Sequence, residues 1–168
     1  MPIGVTFRGM MGMRELVTTQ IPFDTGTSAG NMTNGGGSGG AFNNDTTQTH
    51  AQSAQKTFPS GGFTNWTGKD WGAGNDKKIT KFILYGPSDT GINEGATATI
   101  KLQGSTDNWT TPVDLHAGTN TNGASSQIIT IDTGITTTTA YRYHRLIISP
   151  GNTGFGVYYA EIQFFEDI

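Results

Sequence analysis

The chain has no cysteine in its 168 residues, which excludes disulfides and thiolate-held zinc. Stability must come from packing, from assembly or from a bound ion. Charge is scarce as well: Asp, Glu, Lys and Arg make up 14% of the residues, and the net charge is −3. No basic stripe is present to neutralise phosphates, so nucleic-acid binding is not expected. No apolar run approaches the ~18 residues of a membrane-spanning helix, so no membrane insertion is expected either. The opening MPIGVTFRGMMGMRELV is interrupted by Arg8, Arg14 and Glu15 and does not read as a signal peptide. Catalytic patterns are also missing. The three histidines, His50, His116 and His144, are scattered, and there is no GxSxG, HExxH or Walker sequence. Asp70 and Asp76 read as surface acids, because a glycosidase pair needs fixed spacing and a tuned pKa. The expectation is a protein without catalytic activity.

What is abundant is glycine, 25 residues, together with Thr, Ser, Asn, β-branched and aromatic residues. That mixture favours short strands joined by turns. The segment GTSAGNMTNGGGSGG, 26–40, has the composition of a flexible linker. It predicts an N-terminal extended arm over 1–40 and a folded domain over 41–168. Strands are predicted at 77–86, 97–104, 113–116, 127–132, 141–149 and 157–166. In 97–104, Ala98, Ile100 and Leu102 alternate onto one face. The inward face of YRYHRLII is ambiguous. With no amphipathic helix between the strands, the pattern predicts an all-β antiparallel sandwich or jelly roll.

Five stretches occur in one order: AFNNDTTQTH (41–50), KITKFILYG, IKLQGSTDNWTTPVDL, YRYHRLIIS and YYAEIQFFE. Together they resemble the discoidin, or coagulation-factor C-type, family. The departures are Asn43 for the usual Asp, Asn44 for Gly, and His50 where Trp is common. The resemblance implies a galactose-binding-like jelly roll that binds carbohydrate, and a structural calcium held by the opening loop and the Glu of the closing strand. On that basis Glu161 has a reason to sit among aromatic residues. Asn43, Asp45, Thr47, Glu161 and the Ala160 carbonyl are the implied calcium ligands, since Ca²⁺ takes six to eight oxygens. The other reading makes Glu161 a solvent-facing charge on an edge strand.

Sugars are held by aromatic faces and by amides and carboxylates. The stretch FTNWTGKDWGAGNDKK, 63–78, is read as an exposed loop offering Trp66, Trp71, Asn65, Asp70 and Asn75. Both tryptophans equally suit core plugs. A second rim is expected from Asn152, Phe155 and Tyr158, with His50 nearby. Arg142 and His144 are open between ligand contact and ordinary strand-face roles. An arm on a binding module resembles a phage virion component that attaches to host surface glycans, localised to the virion. Its partners would be other virion subunits through residues 1–40, in a homo-oligomer or multi-copy assembly. The alternatives are a carbohydrate-binding module of a secreted glycan-degrading system and a purely structural decoration protein.

Overall fold

The computed structural model describes residues 17–57, 65–93, 97–121, 124–136, 138–150 and 156–168. Twelve strands follow in chain order among these residues: β1 (Thr18–Gln20), β2 (Thr27–Gly30), β3 (Asn34–Gly35), β4 (Ala54–Thr57), β5 (Asn65–Asp70), β6 (Ile79–Tyr85), β7 (Thr97–Ser105), β8 (Val113–Thr121), β9 (Ile128–Ile131), β10 (Tyr143–Pro150), β11 (Gly156–Tyr159) and β12 (Glu161–Asp167). A 3-10 turn at Gly37–Ala41 is the one helical element among the described residues. The strands form a five-stranded sheet, β2-β5-β10-β7-β8, a four-stranded sheet, β1-β12-β6-β9, and a small sheet, β11-β4-β3. All of these pairings are antiparallel.

The period-two pattern sets the core. Ile100 and Leu102 of β7 and Leu146 and Ile148 of β10 point inward, in register as Leu146 opposite Leu102 and Ile148 opposite Ile100. They share one cluster with Phe82 and Leu84 of β6 and Ile162 and Phe164 of β12. Burying each such side chain contributes about 1.5–3 kcal/mol. The inward face of β10 is therefore His144, Leu146 and Ile148, which resolves the ambiguity of YRYHRLII.

Three expectations are corrected. The boundary at residue 41 does not separate an arm from a domain over the described residues. Strand β1 pairs with β12, β2 with β5 and β3 with β4, and Ile21 and Met32 lie in the core. Gly26, Gly30, Gly36 and Gly40 serve close packing rather than flexibility. A Cβ at Gly40 would stand 2.9 Å from the Ala54 nitrogen, and one at Gly36 would stand 2.6 Å from the Gln52 carbonyl. Next, the stretch 63–78 is not one loop, because Asn65–Asp70 is strand β5, placed between β2 and β10. Finally, YYAEIQFF is not one strand. The chain bends at Ala160, so β11 joins the small sheet while β12 joins the four-stranded one.

Candidate functional site

The bend at Ala160 brings Glu161 into the interior. Its side chain is fully buried, and its Oε2 accepts the backbone N–H groups of Asn43 and Asn44, each at 3.1 Å. Asn44 adopts φ 62°, the left-handed conformation that Asn tolerates where Gly is usual. Burial pushes the Glu161 carboxyl up to about 7, against the pull of the two backbone N–H groups and the Lys69 ammonium. Lys69 is also buried. Its Nζ donates to the Phe23 carbonyl at 2.7 Å and lies 4.7 Å from the centre of the Phe42 ring. Desolvation lowers its pKa, and Glu161 raises it.

Of the other implied calcium ligands, two converge by accepting from Gln48: the Ala160 carbonyl, next to Glu161 in the chain, and the side chain of Asn43, whose backbone N–H donates to Glu161. The side chains of Asp45 and Thr47 turn elsewhere. Asp45 Oδ1 accepts both the Thr47 backbone N–H, at 2.9 Å, and the Thr47 hydroxyl, at 2.7 Å. This local turn holds the Asp45 carboxyl below its usual range and keeps both groups at the surface. Asp45 contributes only its backbone carbonyl. The residue at the centre is Gln48, which sequence reasoning passed over. Its amide nitrogen meets Gly40 O, Asn43 Oδ1, Asp45 O and Ala160 O.

Gln48 also leads to an exposed cluster. Its backbone carbonyl accepts the Ser88 N–H at 2.8 Å, which docks the 86–93 loop on the opening loop. One residue on, Asp89 Oδ1 accepts the His50 backbone N–H at 2.7 Å, and Asp89 Oδ2 lies 2.7 Å from His50 Nδ1. His50 and Asp89 side chains are 52% and 38% exposed, so the pair is open to solvent. The His50 backbone N–H holds the Asp89 carboxyl below its usual range. With Nδ1 as the donor to Asp89, the opposite ring nitrogen is an acceptor, and the carboxylate remains an acceptor beside it. Tyr158, expected on the ligand rim, is instead buried, 4% exposed, and its ring stands edge-on to His50, centroids 5.9 Å apart. The Tyr158 N–H donates to Ile92 O, so β11, the 86–93 loop and the opening loop meet here. Asn152 and Phe155, the rest of the expected rim, lie outside the described residues.

The expected aromatic loop is divided by the pleat of β5. Trp71, just after that strand, is in the core, 4% exposed; its indole N–H donates to His144 Nδ1 at 2.9 Å and its ring stands edge-on to Phe164. Asn65 is fully buried on the inward face. Neither is placed to meet a ligand, which corrects both assignments. Asn75 sits on an exposed turn closed by its own N–H to Gly72 O. Trp66 and Asp70 face outward. The Arg145 guanidinium lies 5.0 Å from the Trp66 ring and 4.5 Å from the Trp109 ring, and those two rings are 5.4 Å apart. Asp70 is gripped by Arg142 through two hydrogen bonds, 2.7 and 2.8 Å, which holds its carboxyl below the usual range. The rings and guanidinium on this face are one another's partners. His144 faces the core, not a ligand.

No family model matches the chain, and no curated protein does. Solved structures do. A family-62 carbohydrate-binding module of Clostridium thermocellum Xyl5A is 24% identical, TM-score 0.59, over 89% of this chain and 97% of that one. The family-32 module of C. perfringens NanJ, solved with galactose, is 13% identical, TM-score 0.59, over 89% and 100%. The lectin-binding domain of lectinolysin, solved as a variant with Lewis b, is 14% identical, TM-score 0.63, over 90% and 100%. The chain has the galactose-binding-like β-sandwich jelly-roll fold found in these carbohydrate-binding modules.

Proposed function

We propose that the protein is a non-catalytic glycan-binding module whose ligand is met at the His50–Asp89–Tyr158 cluster. The observation that carries the reading is the exposed His50, oriented by Asp89 through two 2.7 Å contacts where three segments of the sandwich meet. A fixed imidazole nitrogen and a carboxylate, side by side, suit the hydroxyls of a sugar ring, with Tyr158 behind them. The fold supports the reading, since the similar modules were solved with galactose or Lewis b.

A role beside a glycan-degrading enzyme is the preferred setting. In AlyQ a similar module is joined to an alginate lyase domain. Virion display rests on an arm set apart from the domain. Within residues 17–40, β1, β2 and β3 are instead paired into the sheets, with Ile21 and Met32 in the core.

The test is a glycan array spanning neutral and uronic sugars, followed by calorimetric titration of the best ligand. Expected are losses of about tenfold or more for His50→Ala and for Asp89→Ala, the loss of one charged hydrogen bond, at unchanged melting temperature. A second reading puts the ligand on the outer sheet face, where Trp66, Trp109 and Arg145 are half-buried. Normal binding by both loop variants, with binding lost in Trp66→Ala, would select that face instead.

A further inference from the structure

We propose that the Gln48 side-chain amide is a built-in substitute for a cation, closing the opening loop onto the last strand and making that clip independent of metal. The geometry is that of an ion cage. Four oxygens from three stretches of chain surround one nitrogen: Gly40 O at 2.9 Å, Asn43 Oδ1 at 2.8 Å, Asp45 O at 3.1 Å and Ala160 O at 2.7 Å. An amide nitrogen has two hydrogens, so four acceptors exceed what ordinary pairing requires. Such a shell, all oxygen and mostly carbonyl, is what a hard cation collects. With the nitrogen inward the amide meets four acceptors, while its own oxygen, like Glu161 Oε1, is buried without a hydrogen-bond partner among the described residues.

The donor set accounts for why an amide, not an ion, stands there. A divalent cation in a buried cage needs carboxylates to offset its charge. Here position 43 is a neutral Asn, and the Asp45 carboxylate is committed to Thr47 at the surface. One acid, Glu161, remains, and the buried Lys69 ammonium lies within its electrostatic reach. Among the described residues no group of three or more His, Cys, Asp or Glu could hold a metal. The chain divides the two tasks of an ion. Gln48 fills the centre and presents N–H to the carbonyls, while Lys69 supplies the positive charge from the β5 side. The residue also links to the exposed cluster through its main chain, since the Gln48 backbone carbonyl accepts the Ser88 N–H beside Asp89.

The experiment is thermal melting of the whole protein in chelator and in millimolar calcium, with Gln48→Glu alongside. The wild-type melting temperature should be the same in both. A bound ion at a hundredfold excess over its Kd would raise it by roughly 5 to 10 °C, and a shift of that size in the wild type overturns the proposal. Gln48→Glu removes the hydrogens and adds a carboxylate to the cage. Its melting should be lowered in chelator and rise with calcium. Indifference of this variant to calcium would mean that the cage is not cation-shaped, and would also overturn the proposal. Nitrogen-resolved NMR of the wild type gives a readout that needs no variant. The Gln48 side-chain amide protons should exchange slowly and stay unmoved by calcium; fast exchange or displacement contradicts the assignment.

Discussion

His144 is fully buried near the start of β10, and its pKa is lowered from 6.5 to about 3 by desolvation. Its Nδ1 accepts the Trp71 indole N–H, and its Nε2 has no protein partner. The ring is walled by Trp71, Tyr141 and Phe164, so a proton taken up here would be a bare charge among aromatic rings. The unfolded chain binds that proton below 6.5, whereas the folded chain resists it down to about 3. Stability from this residue is thus fully present above pH 6.5 and lost as pH falls toward 3. The gap of about 3.5 units corresponds to about 5 kcal/mol at 1.36 kcal/mol per unit. That is a large share of the 5–15 kcal/mol of a typical domain. By pH 4.5, two units below the unfolded value, about 2.7 kcal/mol should already be gone. The assay is urea unfolding between about pH 7.5 and 4.5 for the wild type and for His144→Gln, which keeps an acceptor for Trp71 and cannot titrate. The carboxylates contribute equally to both proteins, so the change with pH of the difference between them isolates His144. The wild type should lose about 2.7 kcal/mol more than the variant over that range. A difference that stays constant would refute the buried, neutral imidazole.

Two further outcomes are expected. Glu161, an acid whose pKa is raised from 4.5 to about 7, carries the opposite sign: its contribution is most favourable below pH 4.5 and is lost as pH rises to about 7. Relative to Glu161→Gln, the wild type should lose about 3 kcal/mol over that window in urea titrations; a variant less stable than the wild type at pH 8, with no such slope, would contradict it. Removal of residues 1–36 should unfold the protein or lower its melting temperature steeply, because it takes away β1, β2 and β3 with Ile21 and Met32; circular dichroism showing a native-like fold for the truncated chain would mean that these strands are an appendage.

Where the residue pattern was regular, the sequence was readable. Ala98, Ile100 and Leu102 alternate with polar neighbours, and β7 runs where that alternation predicts, inward face included. The β6, β9 and β10 segments also lie where strands were expected, with the inward face of β10 settled only by the structure, and β8 runs on to Thr121, beyond the expected 113–116. Strands β2 and β3 were illegible because Thr27–Gly30 and Asn34–Gly35 carry no apolar alternation at all. They are strands because β5 and β4 offer unpaired backbone edges, and their glycines let the chain approach closely enough to pair. Strand β5 was hidden for a different reason: Gly68 interrupts its pattern and its inward side chains, Asn65, Thr67 and Lys69, are polar. Trp66 and Trp71 looked equivalent in sequence. The sheet turns one outward beside Arg145 and buries the other against His144.

Composition and periodicity by themselves determined an all-β, cysteine-free sandwich, because backbone alternation is written locally in side-chain order. The tertiary structure alone decided the roles of single polar residues. Gln48 meets the Ala160 carbonyl across 112 residues, and Asn43 meets Glu161 across 118, only because β12 starts beside the opening loop. His50 gains its partner Asp89 from across 39 residues. Nothing in the composition of a turn states which carbonyls it will aim at a common point. That is decided by where two distant strands end, and with it whether a buried carboxylate faces an ion, a lysine or an amide.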